Sequence, residues 1–313
     1  MELTFSQIKN LTVGALTVTE TPEGIAFSRT TPTQRAAYKT VFEAWAQRSD
    51  STTGIRIDFH TDASAFTATV AATGKYEVLV DDLTAYFEVL TENSKIYIPL
   101  DGLDHRITLV LPCHTPGMIK SIELENPSYI TPHKYSRKVA FYGDSITQGA
   151  TSEKDSQCYT WLLTRYFDFE SYNFGVGGIR FQPETVEDVG IDPELVFIAL
   201  GTNNYGSNRP LELLQENCPA FFDSIKALYP KAKIFCITPI WRADGEIVKN
   251  VGTIHDARAL IETEARNRGM IIIDGFTLVP HRTEYYADER LHPNDLGFAQ
   301  YSMNLLKAIS PHL

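Results

Sequence analysis

The stretch Val139-Ala140-Phe141-Tyr142-Gly143-Asp144-Ser145 joins a short apolar run to a small polar turn. Such a run, bounded by turn residues, is typical of a strand that is buried on both faces of a sheet. Two more strands are predicted at Ser171–Phe174 and Leu195–Leu200, and each is followed by a loop rich in glycine or polar residues. Because ligands bind at the carboxyl ends of parallel strands, we expect these loops to form a site at one edge of a sheet.

The segments between and after these strands carry helical patterns. The helices are predicted at Tyr159–Phe167, Pro210–Leu228, Thr253–Arg268 and Leu296–Ile309, and further strands at Lys233–Thr238 and Met270–Ile273. Alternation of apolar strands with helices indicates an α/β fold with a parallel sheet covered on both faces.

The first 130 residues have a different pattern, with short runs rich in Val, Ile, Thr, Tyr and Phe between turn signals. These runs are Leu16–Thr19, Gly54–Phe59, Phe66–Val70, Tyr76–Val80, Tyr86–Leu90, Ile96–Leu100, Ile107–Leu111 and Ile119–Leu124. They predict a β-sandwich, and we expect a jelly roll. Within this part, Thr33–Arg48 has helical spacing and is either a short helix or an excursion over the sandwich. We expect two domains, 1–132 and 133–313, joined at a proline-containing linker.

Composition excludes several classes of function. The chain of 313 residues has a formal net charge of −11, which disfavours binding to nucleic acid. No apolar run is long enough to span a bilayer and no signal peptide is evident, so we expect a cytoplasmic protein without a membrane partner. Four scattered cysteines predict reduced, buried thiols and no zinc site. The sequence leaves open whether the chain forms a homo-oligomer.

Four polar or glycine-rich blocks follow the predicted strands or precede the last helix: Gly143–Gly149, Asn173–Gly178, Gly201–Asn204 and Asp288–Asn294. In identity and order these blocks resemble those of the SGNH/GDSL hydrolases, over roughly residues 138 to 313. The resemblance assigns the four residues of the family name to Ser145, Gly178, Asn203 and His292. It implies a flavodoxin-like fold of three layers, with a parallel sheet between helices, and it implies ester hydrolysis as the activity.

The chemistry of these residue types agrees with that resemblance. A serine hydroxyl such as that of Ser145 needs an imidazole to accept its proton, and His292 is the candidate base. Attack on an ester creates an oxyanion, which the N–H groups of Ser145 and Gly178 and the carboxamide of Asn203 could bind. No metal or organic cofactor is needed for such a reaction.

The third member of the expected triad departs from the family pattern. The family has Asp three residues before its His, a position that holds Glu289 here, whereas Asp288 lies one residue earlier. Either carboxylate could orient His292, and we expect Glu289 because it keeps the register. A dyad with a backbone carbonyl as the orienting group is the remaining alternative.

The family resemblance leaves the substrate open. A β-sandwich before such a domain is similar to certain carbohydrate esterases, which favours a small acyl ester and above all an O-acetyl group on a sugar. Trp241 is the candidate residue for the acyl or sugar pocket, although core packing would explain it as well. A lysophospholipase, thioesterase or arylesterase is the alternative enzyme, and a non-catalytic carbohydrate-binding protein is the alternative outside enzymes.

Overall fold

A computed structural model describes all residues, 1–313. The first part of the chain forms two antiparallel sheets, one with the strand order β1-β4-β9-β6-β7 with β11 beside β4, and the other with the order β2-β3-β10-β5-β8. The strands are β1 Thr12–Val13, β2 Thr17–Thr21, β3 Gly24–Ser28, β4 Arg56–Thr61, β5 Ala65–Val70, β6 Gly74–Val80, β7 Leu83–Leu90, β8 Lys95–Pro99, β9 His105–Val110, β10 Met118–Glu125 and β11 Ile130–Pro132.

Alternating side chains of both antiparallel sheets face each other in one apolar core. Phe59 and Val78 come from one sheet, and Phe66 and Ile122 from the other, and all four are fully buried. The alternation that predicted the strands therefore also assigns their inner faces. These sheets form a β-sandwich, whereas its jelly-roll connectivity stays a prediction.

The second part of the chain contains a five-stranded parallel sheet in the order β13-β12-β14-β15-β16. Its strands are β12 Arg137–Gly143, β13 Phe169–Gly175, β14 Leu195–Ala199, β15 Lys233–Ile237 and β16 Ile271–Ile273. The second strand in sequence lies outside the first, which is the order of flavodoxin-like sheets. The first two strands thus end side by side, with Gly143 opposite Gly175.

Helices cover both faces of the parallel sheet. The nine helices of the chain are α1 Phe5–Leu11, α2 Pro32–Val41, α3 Glu43–Ser49, α4 Ser145–Gln148, α5 Tyr159–Phe167, α6 Thr202–Gly206, α7 Leu211–Leu228, α8 Ile254–Asn267 and α9 Asp295–Ile309. One apolar core includes buried residues of α7 and α8, and the other includes buried residues of α5 and α9. None of the helices combines the length and the apolar character needed to cross a bilayer.

The segment predicted as a helix or an excursion forms the helical pair α2 and α3. Tyr38, Trp45 and Ala46 of this pair are buried in one of the two cores of the parallel sheet. The pair is therefore a part of the first 132 residues that packs against the α/β part. The expected linker also has structure, because β11 pairs with β4 in the sandwich.

Candidate active site

Ser145 lies at the carboxyl end of β12, the central of the three strands that end in the polar blocks. Strand β12 ends at Gly143, where a Cβ would collide with the side chain of Thr147. The buried carboxylate of Asp144 caps the short helix α4 by accepting the N–H of Ile146 at 3.0 Å. This tight turn sets Ser145 at the first position of α4, with its side chain facing the cleft at the sheet edge.

Burial governs the ionisation of the capping carboxylate. Desolvation raises the pKa of Asp144 to about 6, against the opposing influence of the hydrogen bond from the N–H of Ile146. Asp144 makes no hydrogen bond to His292, and its contacts are those of a residue that shapes the turn.

His292 meets Ser145 across 147 residues of sequence. The Oγ atom of Ser145 lies 2.9 Å from Nε2 of His292. His292 is on the loop before α9, and Asn294 caps that helix by accepting the N–H of Gly297 at 3.0 Å. The nucleophile and base predicted from the sequence are therefore within hydrogen-bonding distance, which is the geometry that proton transfer requires.

The carboxylate on the other side of the imidazole is Asp288, not Glu289. Oδ2 of Asp288 lies 2.8 Å from Nδ1 of His292, while Oδ1 accepts the N–H groups of Leu291 at 2.7 Å and of His292 at 3.0 Å. Glu289 has φ +54° and an exposed side chain without a hydrogen bond to the ring. The expectation for Glu289 is wrong. The left-handed backbone at Glu289 turns the chain between Asp288 and His292, so the carboxylate of Asp288 contacts the ring although it lies one position farther away in sequence.

The ionisation of Asp288 follows from these contacts. Partial burial is the largest single influence and opposes the charge, but the hydrogen bonds from Leu291 and His292 together outweigh it. They hold the pKa of the Asp288 carboxyl well below its usual range, so an anion faces Nδ1 of His292.

Ser145, Gly178 and Asn203, the three residues expected to supply oxyanion donors, line the same cleft. The backbone N–H groups of Ser145 and Gly178 donate to no acceptor within the protein. Nδ2 of Asn203 donates to the carbonyl of Ile179 at 3.0 Å, which fixes the amide and leaves its second hydrogen free. Gly178 has φ +83°, a conformation that favours glycine.

These groups line one cleft of about 480 Å³. Its lining residues are Arg48, His114, Ser145, Gln148, Ala150, Gly177, Gly178, Asn203 and His292, of which Ala150 alone is aliphatic. A cleft of similar volume, about 460 Å³, lies on the sandwich, but its lining contains no Ser, Cys or His side chain. The polar cleft is therefore the better candidate for nucleophilic chemistry.

The helical pair contributes the side chain of Arg48 to this cleft and places Trp45 beside Gly178, and the sequence indicated neither residue. Nη1 of Arg48 donates to the carbonyl of Gly177 at 2.5 Å. A Cβ on Gly178 would lie 2.8 Å from Nη1 of Arg48 and 3.3 Å from Nε1 of Trp45. These residues are some 100 positions from Ser145 in sequence, and only the helical spacing of Thr33–Arg48 singled out their segment.

Gln148 ties the glycine loop to the first part of the chain. Its Oε1 accepts the N–H of Gly177 at 2.7 Å, and its Nε2 donates to Oγ of Ser51 and to the carbonyl of Cys113, both at 3.1 Å. The side chain is buried, so these bonds hold the loop that carries Gly178.

Trp241 does not line the cleft, contrary to the expectation for a pocket residue. Its ring stacks on His281 at a centroid distance of 5.7 Å and contacts the ring of Tyr286 at 5.2 Å. The indole of Trp241 is therefore positioned by packing against these two rings, and packing accounts for this residue better than a role in the pocket does.

The sequence from residue 141 to 300 matches the model of the GDSL-like lipase/acylhydrolase family. The chain belongs to this family. The family match includes Ser145 and His292, whose side chains meet at the cleft. No protein of curated function matches the sequence significantly.

Solved structures with the same fold cover nearly the whole chain. The salicylyl-acyltransferase of a tetracycline biosynthetic pathway has a TM-score of 0.83 at 19% identity, over 96% of this chain and 94% of its own. A family two carbohydrate esterase from Clostridium thermocellum, in complex with cellohexaose, has a TM-score of 0.65 at 15% identity, over 96% and 98%. An acetyl xylan esterase from the rumen bacterium Butyrivibrio proteoclasticus has a TM-score of 0.65 at 13% identity, over 100% and 98%. At these identities the likeness establishes the fold, including the sandwich beside the parallel sheet.

Proposed function

We propose that this member of the family is a serine esterase that removes small acyl groups, above all O-acetyl groups, from carbohydrates. The observation that carries the proposal is the hydrogen-bonded series from Ser145 through His292 to Asp288 at the edge of a polar cleft. A serine, an imidazole and a carboxylate in this arrangement activate a hydroxyl for attack on an acyl carbon.

In the proposed reaction, Oγ of Ser145 attacks the ester carbonyl while its proton passes to Nε2 of His292. The carboxylate of Asp288 stabilises the imidazolium that forms. The N–H groups of Ser145 and Gly178 and the amide of Asn203 bind the oxyanion. The C–O bond of the ester then breaks, and the alcohol leaves with the proton from His292.

Water completes the cycle. His292 takes a proton from a water molecule, which attacks the acyl-Ser145 ester, and the carboxylic acid departs as the proton returns to Oγ. Every proton is thus returned, and neither a metal nor a cofactor takes part in the proposed cycle.

The lining of the cleft supports a sugar ester over a lipid. A long-chain acyl group would need an apolar groove, but Ala150 is the one aliphatic residue that lines this cleft. The fold shared with the esterase complexed with cellohexaose and with the acetyl xylan esterase also supports the proposal. The same serine and histidine could also serve a lysophospholipase, a thioesterase or an arylesterase, which are the alternative functions.

The test compares wild-type protein with Ser145→Ala on p-nitrophenyl esters of increasing acyl length and on acetylated xylo- and gluco-oligosaccharides. We expect hydrolysis of acetyl esters by the wild type and none above background in the variant. A preference for long acyl chains would favour a lysophospholipase or a thioesterase. Oligosaccharide binding without any hydrolysis would favour a carbohydrate-binding protein.

A further inference from the structure

The arginines of this acidic chain fall into three groups, according to the partners of their side chains. Ten of its fifteen arginines form ion pairs with carboxylates, namely Arg35, Arg56, Arg106, Arg165, Arg242, Arg258, Arg266, Arg268, Arg282 and Arg290. Arg29, Arg48 and Arg137 donate to backbone carbonyls. Arg180 and Arg209 alone have neither a carboxylate partner nor a hydrogen bond within the protein.

Both unpaired arginines line one pocket of about 200 Å³. Gln182, Asn204 and Asn217 supply its other polar groups, and its lining contains no acidic residue. The pKa of Arg180 is lowered, mainly by burial and to a smaller extent by repulsion from the positive charge of Arg209. Two cations in one pocket without a carboxylate are the arrangement that an anion would stabilise.

This pocket adjoins the candidate active site. Gly178 and Arg180 are two residues apart, so their Cα atoms are separated by at most about 7 Å. The guanidinium carbon of Arg180 lies 4.8 Å from the centre of a Trp45 ring, the indole that also faces Gly178. On the next strand end, Asn204 of the pocket directly follows Asn203 of the cleft.

We propose that the ester substrate carries an anionic group, a carboxylate or a phosphate, which Arg180 and Arg209 bind in this pocket while the ester lies at Ser145. This inference rests on the proposed esterase function and narrows its substrate to acidic esters, such as the acetyl ester of a sugar acid or a sugar phosphate. The planar guanidinium group suits either anion, since both can accept two parallel N–H bonds.

The test uses acetyl esters that differ in charge: 4-acetoxybenzoate, its neutral methyl ester and 4-acetoxyphenyl phosphate. The value of kcat/KM is measured for wild type, Arg180→Gln and Arg209→Gln. Arg266→Gln is the matched control because it removes the same charge from the exposed face of α8. Calorimetry with benzoate and phenyl phosphate on the same proteins measures anion binding without turnover.

We expect the wild type to prefer an anionic ester over the neutral one, and each pocket variant to lower that ratio by roughly tenfold, the loss of one charge-assisted bond. Arg266→Gln keeps the wild-type ratio. The anion with the larger loss, in turnover and in calorimetry, is the one the pocket takes.

Three results separate the two proposals. Equal losses for charged and neutral esters would overturn the anion site and assign Arg180 to packing on Trp45. A ratio and an anion affinity unchanged in both pocket variants would overturn it as well. If wild type hydrolyses none of the esters, the esterase function fails, and calorimetry alone then decides whether the arginines bind anions.

Discussion

Oδ2 of Asp288 lies 2.8 Å from Nδ1 of His292, four residues along the chain instead of the three that the family pattern has. The left-handed backbone at Glu289 makes this contact possible, because it turns the chain so that Asp288 caps the following N–H groups. The backbone conformation, and not the spacing in sequence, therefore determines which carboxylate contacts His292.

The first prediction compares the two carboxylates. Asp288→Asn should lower kcat by a factor on the order of 10⁴, because an amide cannot stabilise the imidazolium of His292. Glu289→Gln should keep kcat within about twofold, since Glu289 makes no hydrogen bond to the ring. Steady-state hydrolysis of p-nitrophenyl acetate measures both. A large loss in Glu289→Gln with little loss in Asp288→Asn would contradict the assignment.

The second prediction concerns the oxyanion donors. Asn203→Ala should lower kcat by roughly 10²–10³-fold with little change in KM, because the lost bond forms in the transition state. Asn304→Ala is the control: its amide also donates to backbone carbonyls, those of Thr277 and Leu278, but it does not line the cleft. Similar kinetics for both variants would remove Asn203 from the oxyanion site.

The third prediction is a pH dependence of stability. Because burial raises the pKa of Asp144 to about 6, the folded state binds this proton more tightly than the unfolded chain does. Its contribution to stability is therefore complete below about pH 4 and is lost as the pH rises through 6. The variant Asp144→Asn cannot ionise and therefore does not lose stability as the pH rises, while its amide oxygen can still accept the N–H of Ile146.

The free energy of unfolding of Asp144→Asn relative to wild type should therefore increase between pH 4 and pH 7.5, by up to roughly 3 kcal/mol. Urea unfolding followed by tryptophan fluorescence at several pH values measures this difference. A difference that is constant with pH, or one that decreases, would mean that the Asp144 carboxyl is ionised at little cost.

The fourth prediction tests how the first part of the chain supports the site. Arg29 is fully buried and donates to the carbonyls of Asn173 and Gly175 at 3.0 and 2.8 Å. Arg29→Met should cost about 3 kcal/mol or more and lower kcat, because it leaves buried carbonyls unpaired beside the loop to Gly178. The control Arg35→Met breaks a half-exposed ion pair with Asp50 and should cost less than about 1 kcal/mol.

Urea unfolding and kcat are measured on both of these arginine variants. Equal, small losses in the two would show that the two parts of the chain hold the site independently. Loss of both stability and turnover in Arg29→Met alone would agree with the shared packing.

The parallel sheet could be predicted because its information is local. Apolar runs such as Leu195–Leu200, followed by polar loops, specify strands and the edge where the loops meet, and the helix Tyr159–Phe167 was predicted with the bounds observed. The strand-end rule indicates the loop that holds Ser145, whereas the resemblance to the SGNH/GDSL hydrolases selects Ser145 and His292 within their blocks. Such signals do not depend on distant contacts.

The parts that could not be predicted depend on tertiary packing. Arg48 lines the cleft and Trp45 lies beside Gly178 because the helical pair joins the core of the parallel sheet, and no local pattern indicates that. The positive φ at Glu289 is equally hidden, because nothing in the residue type requires it. The sequence leaves Trp241 open between the pocket and packing, and only the tertiary structure shows that its ring stacks on His281.

The central claim is that Ser145 carries the acyl group during turnover. The most direct measurement is inactivation by diethyl p-nitrophenyl phosphate, with the modified peptide mapped by mass spectrometry. We predict one diethylphosphoryl group per chain, attached to Ser145, incorporated in proportion to lost activity and absent from Ser145→Ala. Complete inactivation with Ser145 unmodified, or full activity with Ser145 modified, would contradict the account.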